Sequence, residues 1–139
     1  MRQGFALLEL LCVCCVMAVT TAIAVPRCIH LADAAAVRQA SGRLVAALDA
    51  ARGAAVRLQQ TATLTIADSA FTVSAVVGND TVRAWRAAGG DGVTVTGAGA
   101  GISFSPSGMA SGVANRTLVL TRGGVTRRVV VSRLGRLTY

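Results

Sequence analysis

The sequence predicts an α+β fold: one long amino-terminal α-helix, apolar enough at its start to cross a membrane and amphipathic beyond, packed on a carboxy-terminal antiparallel β-sheet head. Three observations predict it. Residues 5–25 form an apolar run interrupted by a single charge, Glu9. Between residues 37 and 58 apolar side chains recur every third or fourth position, the period of a helix with one buried face. After Gln60 the pattern changes to short runs rich in Thr and Val, separated by Gly, Asn, Asp and Pro, as strands and reversals require.

Composition sets the bounds. A chain of 139 residues holds one small domain and at most one special segment, too little for two independent cores. Hydrophobic residues make up 53% and charged residues 14%, an apolar skew that places part of the chain in a membrane. All 14 basic residues are arginine, and against six acids they leave a formal charge of +8. That charge permits attraction to nucleic acid or anionic lipid but specifies neither.

The first helical segment, residues 5–25, would be roughly 31 Å long at 1.5 Å per residue, enough to span a bilayer's hydrocarbon core. Arg2 and the chain amine precede it, so the positive-inside rule predicts a single pass with the short leader in the cytoplasm and the carboxyl end outside. A cleaved secretory signal is the competing reading, because Ala22-Ile23-Ala24 offers an A-x-A site. The run is longer than such a signal's usual 7 to 15 apolar residues. Glu9 also costs on the order of 2.5 to 3.5 kcal/mol near a membrane centre, and an acid held at that cost marks a functional position. Cys12, Cys14 and Cys15 read as small membrane hydrophobes, since neighbours on one helix cannot reach disulfide geometry, and Cys28 reads as a packing residue.

Gly4-Phe5-Ala6-Leu7-Leu8-Glu9, followed by Pro26, resembles the amino-terminal motif of type IV pilins and type II secretion pseudopilins. The resemblance implies that prepilin peptidase cuts after Gly4, that the new amino terminus at Phe5 is methylated, and that Glu9 pairs with the terminal amine of a neighbouring subunit during assembly. Opposite charges in a low-dielectric medium attract strongly only when paired, which rewards docking in one register. The expected organisation is a leader at 1–4, a transmembrane helix at 5–25, an amphipathic continuation at 26–60 and a β-rich head at 61–139. By the same resemblance the protein is a single-pass component of the bacterial inner membrane, with its head in the periplasm and then in a filament.

The continuation carries Val37, Ala40, Leu44, Leu48, Ala51, Ala55 and Leu58 on one stripe, with Arg38, Arg43, Arg52 and Arg57 off it. A bend is expected at Pro26, where a backbone donor is lost. In the head, strands are expected at 62–66, 70–77, 81–86, 92–96, 101–104, 116–121 and 125–132. Asn79-Asp80, the glycines at 89–92 and 97–101, Pro106 to Gly108 and Gly123-Gly124 supply the reversals. Phe104-Ser105-Pro106-Ser107-Gly108, the run around Leu118, Val129-Val130-Val131-Ser132 and Gly135-Arg136-Leu137 are similar to the GspH/FimT pseudopilins. That resemblance implies a minor pseudopilin, a structural subunit of a type II secretion pseudopilus or a type IV pilus, whose partners are other pilins or pseudopilins.

No catalytic constellation stands out. His30 is the single histidine, no Cys/His spacing frames a metal, and the glycines at 97–101 lack the Lys and hydroxyl of a phosphate loop. No enzyme, cofactor or metal is expected. After Asp91 there are six arginines and no acid. Arg127, Arg128, Arg133 and Arg136 form the alternative, a DNA-binding surface gripping phosphates without sequence preference, as some family members do in natural transformation through Gly-Arg-x-Arg. Here Gly135-Arg136-Leu137-Thr138 lacks the second arginine, and Arg127 and Arg128 point to opposite faces of a strand. Trp85, between Arg83 and Arg86, is read as core rather than as a stacking platform.

Overall fold

Residues Arg2–Leu58 form one helix, α1, with Pro26 inside it. The computed structural model describes residues 2–67, 70–77, 80–87, 92–97, 99, 101–111 and 115–139, with side chains described at 6–66 and, among these, from 92 onward. Two units divide the chain, Met1–Ala32 and Asp33–Tyr139.

The first unit is the apolar part of α1. Its large side chains all face outward, from Leu7 at 68% exposed to Leu31 at 70%. A monomer in water rarely exposes so continuous an apolar surface, and the helix is long and apolar enough to cross a membrane. The polar groups within it are satisfied locally. Thr21 donates its hydroxyl to the Met17 carbonyl at 2.6 Å, and Thr20 lies within reach of the Val16 and Met17 carbonyls at 2.9 and 3.0 Å. Such back-bonding removes the cost of a hydroxyl in hydrocarbon. The four cysteines are free and exposed. Pro26 does not end the helix.

In the second unit α1 turns amphipathic. Val37, Ala40, Ser41, Leu44, Ala47, Leu48, Ala51 and Ala55 are all buried, at the spacing of one helix face. Four of the eight are alanines, which let the sheets approach the helix axis closely. Ser41 satisfies its hydroxyl on the Arg38 carbonyl at 2.8 Å. Leu58, expected on the stripe, is 40% exposed because the helix ends there. Gln59 takes a left-handed φ of 52°, and the Gln60 N–H returns to the Ala55 carbonyl at 3.1 Å, closing the last turn. Arg57 sits in that turn, where a cation complements the helix dipole.

The head is antiparallel throughout and forms two sheets rather than one. The first holds β1 (Ala62–Ala67), β2 (Ala70–Val77), β3 (Asp80–Ala87), β5 (Ile102–Phe104) and β6 (Ala110–Ser111) in the order β3-β2-β1-β5-β6. The second holds β4 (Thr94–Thr96), β7 (Arg116–Arg122), β8 (Val125–Val131) and β9 (Leu137–Thr138) in the order β4-β7-β8-β9. Each sheet presents alternate residues to the core. In the first, Ala62 pairs with Phe104 and Leu64 with Ile102, all four buried, while Thr63 and Ser103 meet on the other face with their hydroxyls 3.0 Å apart. In the second, Leu118 pairs with Val129, and Leu120 and Val131 are buried on the same face.

The glycine-rich stretch at 97–101 carries the chain from β4 in one sheet to β5 in the other. Gly97 and Gly101 have φ of 92° and 121°, and a Cβ on either would strike the Thr117 or Leu64 carbonyl. The strands expected at 70–77 and 81–86 are present as β2 and β3. The Trp85 side chain and the reversals at 79 and 89–91 lie outside the described residues. Two short strands, β6 and β9, were not anticipated, since two-residue runs carry no periodicity.

Candidate functional site

Two regions bear on function: the exposed helix that carries Glu9, and the arginine-bearing surface of the head. Gly4 and Phe5 lie in the first turns of α1, where their side chains are outside the described residues. Glu9 is exposed, set among the exposed Leu7, Leu8, Leu10 and Leu11. Among the described residues no group pairs with it in an ion pair.

The four head arginines of the sequence reading occupy three places. Arg127 shares a face with the buried Val129 and Val131 and is half-buried, whereas Arg128 is exposed on the opposite face of β8. Arg133 and Arg136 are exposed in the reversal between β8 and β9. Arg122 closes an ion pair with Asp33 on α1, Nε to Oδ1 at 2.9 Å. Arg116 donates to the Gly101 carbonyl at 3.2 Å, bracing the crossover between the sheets.

Sequence reading missed Arg52. It lies between two reversals of the same construction, Ser105-Pro106-Ser107-Gly108 and Ser132-Arg133-Leu134-Gly135. In each the glycine N–H bonds back to the serine carbonyl, at 2.8 and 2.9 Å. Each serine N–H then bonds to the carbonyl of the residue after the glycine, at 2.9 Å in both. This is a type I turn followed by a left-handed residue, and the glycines have φ of 77° and 75°. Ala110 N–H donates to the Arg133 carbonyl at 3.1 Å and joins the two turns. The Arg52 guanidinium donates to the Gly135 carbonyl at 3.2 Å. The first of these reversals was expected from Pro106 to Gly108; the second, and the partner on the helix, were not.

A groove of about 370 Å³ lies beside the upper head helix. One wall is α1, through Arg38, Ser41, Gly42, Val45, Ala46 and Asp49; the other is formed by Arg127 and Tyr139. Among the described residues no cluster of His, Cys, Asp and Glu is placed to hold a metal ion.

The model of the family described as type II transport protein GspH matches residues 40–135, more than half of the chain, including both Ser-x-x-Gly turns. Among solved structures the type IV minor pilin FimU of Pseudomonas aeruginosa strain PAO1 is similar in two crystal forms. In space group P21 the TM-score is 0.62 at 17% identity, over 73% of this chain and 86% of that one. In P65 it is 0.59 at 18% identity, over 73% and 90%. At that identity the likeness is one of fold. Among curated proteins, none matches the chain. The solved structures share the helix-and-sheet fold, and by the family match over more than half of its length the chain belongs to the GspH family of pilin-like type II transport proteins.

Proposed function

We propose that the protein is a minor pseudopilin, a structural subunit of a type II secretion pseudopilus or a type IV pilus. It is held in the inner membrane by residues 5–25, with its head in the periplasm. The observation that carries the reading is the exposed apolar helix bearing the lone carboxylate of Glu9, continuous with a segment that anchors a GspH-family head. Such a helix is stable in lipid or against other apolar helices, and the acid favours whichever arrangement supplies a cation. In this reading prepilin peptidase removes residues 1–4 after Gly4, Phe5 becomes the methylated terminus, and Glu9 meets the terminal amine of an adjoining subunit.

The test is the intact mass of the mature protein from membranes of a host with prepilin peptidase. A chain beginning at methylated Phe5 is expected; one beginning at Val25 would show a discarded signal and end the filament reading. With processing established, Glu9→Ala is expected to insert and be cut normally but to lose incorporation into filaments. Unchanged incorporation would remove Glu9 from assembly.

The second reading, DNA capture through Arg127, Arg128, Arg133 and Arg136, rests on the acid-free stretch after Asp91. The dispersal of these arginines over two strand faces and one reversal favours it less. A mobility-shift titration of the full chain in detergent against salt decides it, and no shift at low salt removes DNA as a partner.

A further inference from the structure

The two Ser-x-x-Gly reversals bring three apolar side chains together on the surface of the head. Ala110 N–H donates to the Arg133 carbonyl at 3.1 Å, which sets Met109 and Leu134 on neighbouring backbones. Val56 of α1 lies against the first reversal, its Cγ2 3.3 Å from the place a Cβ on Gly108 would take. A Cβ on Gly135 would come within 2.6 Å of the Gly108 carbonyl oxygen, so the second reversal adjoins the first. Both glycines are buried, whereas Val56, Met109 and Leu134 are 43%, 46% and 71% exposed.

The turns themselves do not call for this apolar surface. Leu134 is the third residue of its turn, and in the other turn, closed by the same bonds, Ser107 holds that place. Serine meets the backbone needs of the position, so the leucine only leaves apolar surface in water. The charge around it is one-sided. The three segments that build the surface, 52–58, 105–110 and 132–137, hold four arginines and no acid. Arg52 is engaged on Gly135, and Arg57 is turned back onto the Gly53 carbonyl at 3.2 Å. Arg133 and Arg136 are exposed on either side of Leu134, in a reversal that the Ser132 N–H closes on the Arg136 carbonyl at 2.9 Å. Among the described residues neither has an ion-pair partner.

We propose that this face docks a partner protein whose surface presents apolar side chains edged by carboxylates. Leu134, Met109 and Val56 are covered at the centre, and Arg133 and Arg136 grip acids at the rim. An apolar centre with arginines around it is the make-up of a protein–protein contact, and guanidinium forks match carboxylates in geometry as well as charge. A nucleic-acid backbone would engage the arginines but leave Leu134 and Met109 uncovered. The inference concerns the head surface and does not depend on where the amino terminus is cut.

The test places the photo-crosslinking residue p-benzoylphenylalanine at position 109 of the full chain, produced in its native cells. Light is expected to give an adduct with one protein, whose crosslinked peptide carries Asp or Glu within a few residues of the attachment point. Leu134→Ser copies the other turn and keeps the fold, and it is expected to lower the adduct about ten-fold. Arg133→Glu with Arg136→Glu is expected to lower it at least as far, while lysine at both positions retains most of it. Should the glutamate pair fail to fold, Leu134→Ser with the lysine pair as its control decides. The proposal is overturned if the adduct does not exceed that of the same probe at the exposed Thr117, or if folded Leu134→Ser crosslinks unchanged. It is overturned equally by a crosslinked peptide without acids, or by an adduct to lipid or DNA in place of protein.

Discussion

The Arg52 side chain on α1 donates to the Gly135 carbonyl of the last reversal at 3.2 Å, and its Nε lies beside both Gly135 and Gly108. One helical residue thereby holds two turns that belong to different sheets. The glycines are required on both counts. Their φ values are left-handed, and a Cβ on Gly135 would come within 2.6 Å of the Gly108 carbonyl oxygen. Arg52→Ala is expected to cost the head about 1–2 kcal/mol, from a part-buried carbonyl left without its donor and lost packing of the arginine stem. Gly135→Ala is expected to cost more than Arg52→Ala. Urea unfolding of the two variants checks the order, and equal stability to wild type in both would dismiss the clasp.

Asp33 and Arg122 join the start of the head helix to the β7–β8 hairpin. Their side chains are 16% and 33% exposed, so solvent screens the pair only in part. A double-mutant cycle with Asp33→Ala and Arg122→Ala is expected to give a coupling of about 0.5–1 kcal/mol that shrinks as salt is raised. Gly123→Ala tests the same contact sterically, because a Cβ there would strike the Asp33 carboxylate and its φ is 54°.

Leu48 is fully buried on the helix face that the sheets cover. Leu48→Ala is expected to destabilise by about 2–5 kcal/mol, through lost burial and the cavity left behind. Val45, half-buried on the groove side, is expected to tolerate alanine with a smaller loss, and thermal unfolding of the pair measures the difference.

Gly53 lies within the helix with nothing within 4 Å of the place a Cβ would occupy. Gly53→Ala is expected to stabilise the head by about 0.5–1 kcal/mol, since alanine loses less backbone freedom on folding and meets no clash. A fall in melting temperature would show that the surroundings are tighter than this geometry.

The sequence by itself determined the apolar run with its single acid, the helix stripe and seven of the nine strands, because each is a local period written in consecutive residues. It also determined the reversal at Pro106 to Gly108, whose turn chemistry lies within a few positions, but not the matching one at Ser132 to Gly135. Only the tertiary structure decided that the head is two sheets. Strand periodicity says which face of a strand is buried, whereas sheet membership depends on which distant edge each strand meets, and the glycine crossover at 97–101 sets that. Tertiary structure likewise removed Arg52 from the solvated arginines and gave it two turns to hold. A residue off a hydrophobic stripe is assigned to water by period alone, but a long side chain reaches whatever the fold brings beside it. The groove lined by α1, Arg127 and Tyr139 was illegible for the same reason: its walls come from segments far apart in the sequence.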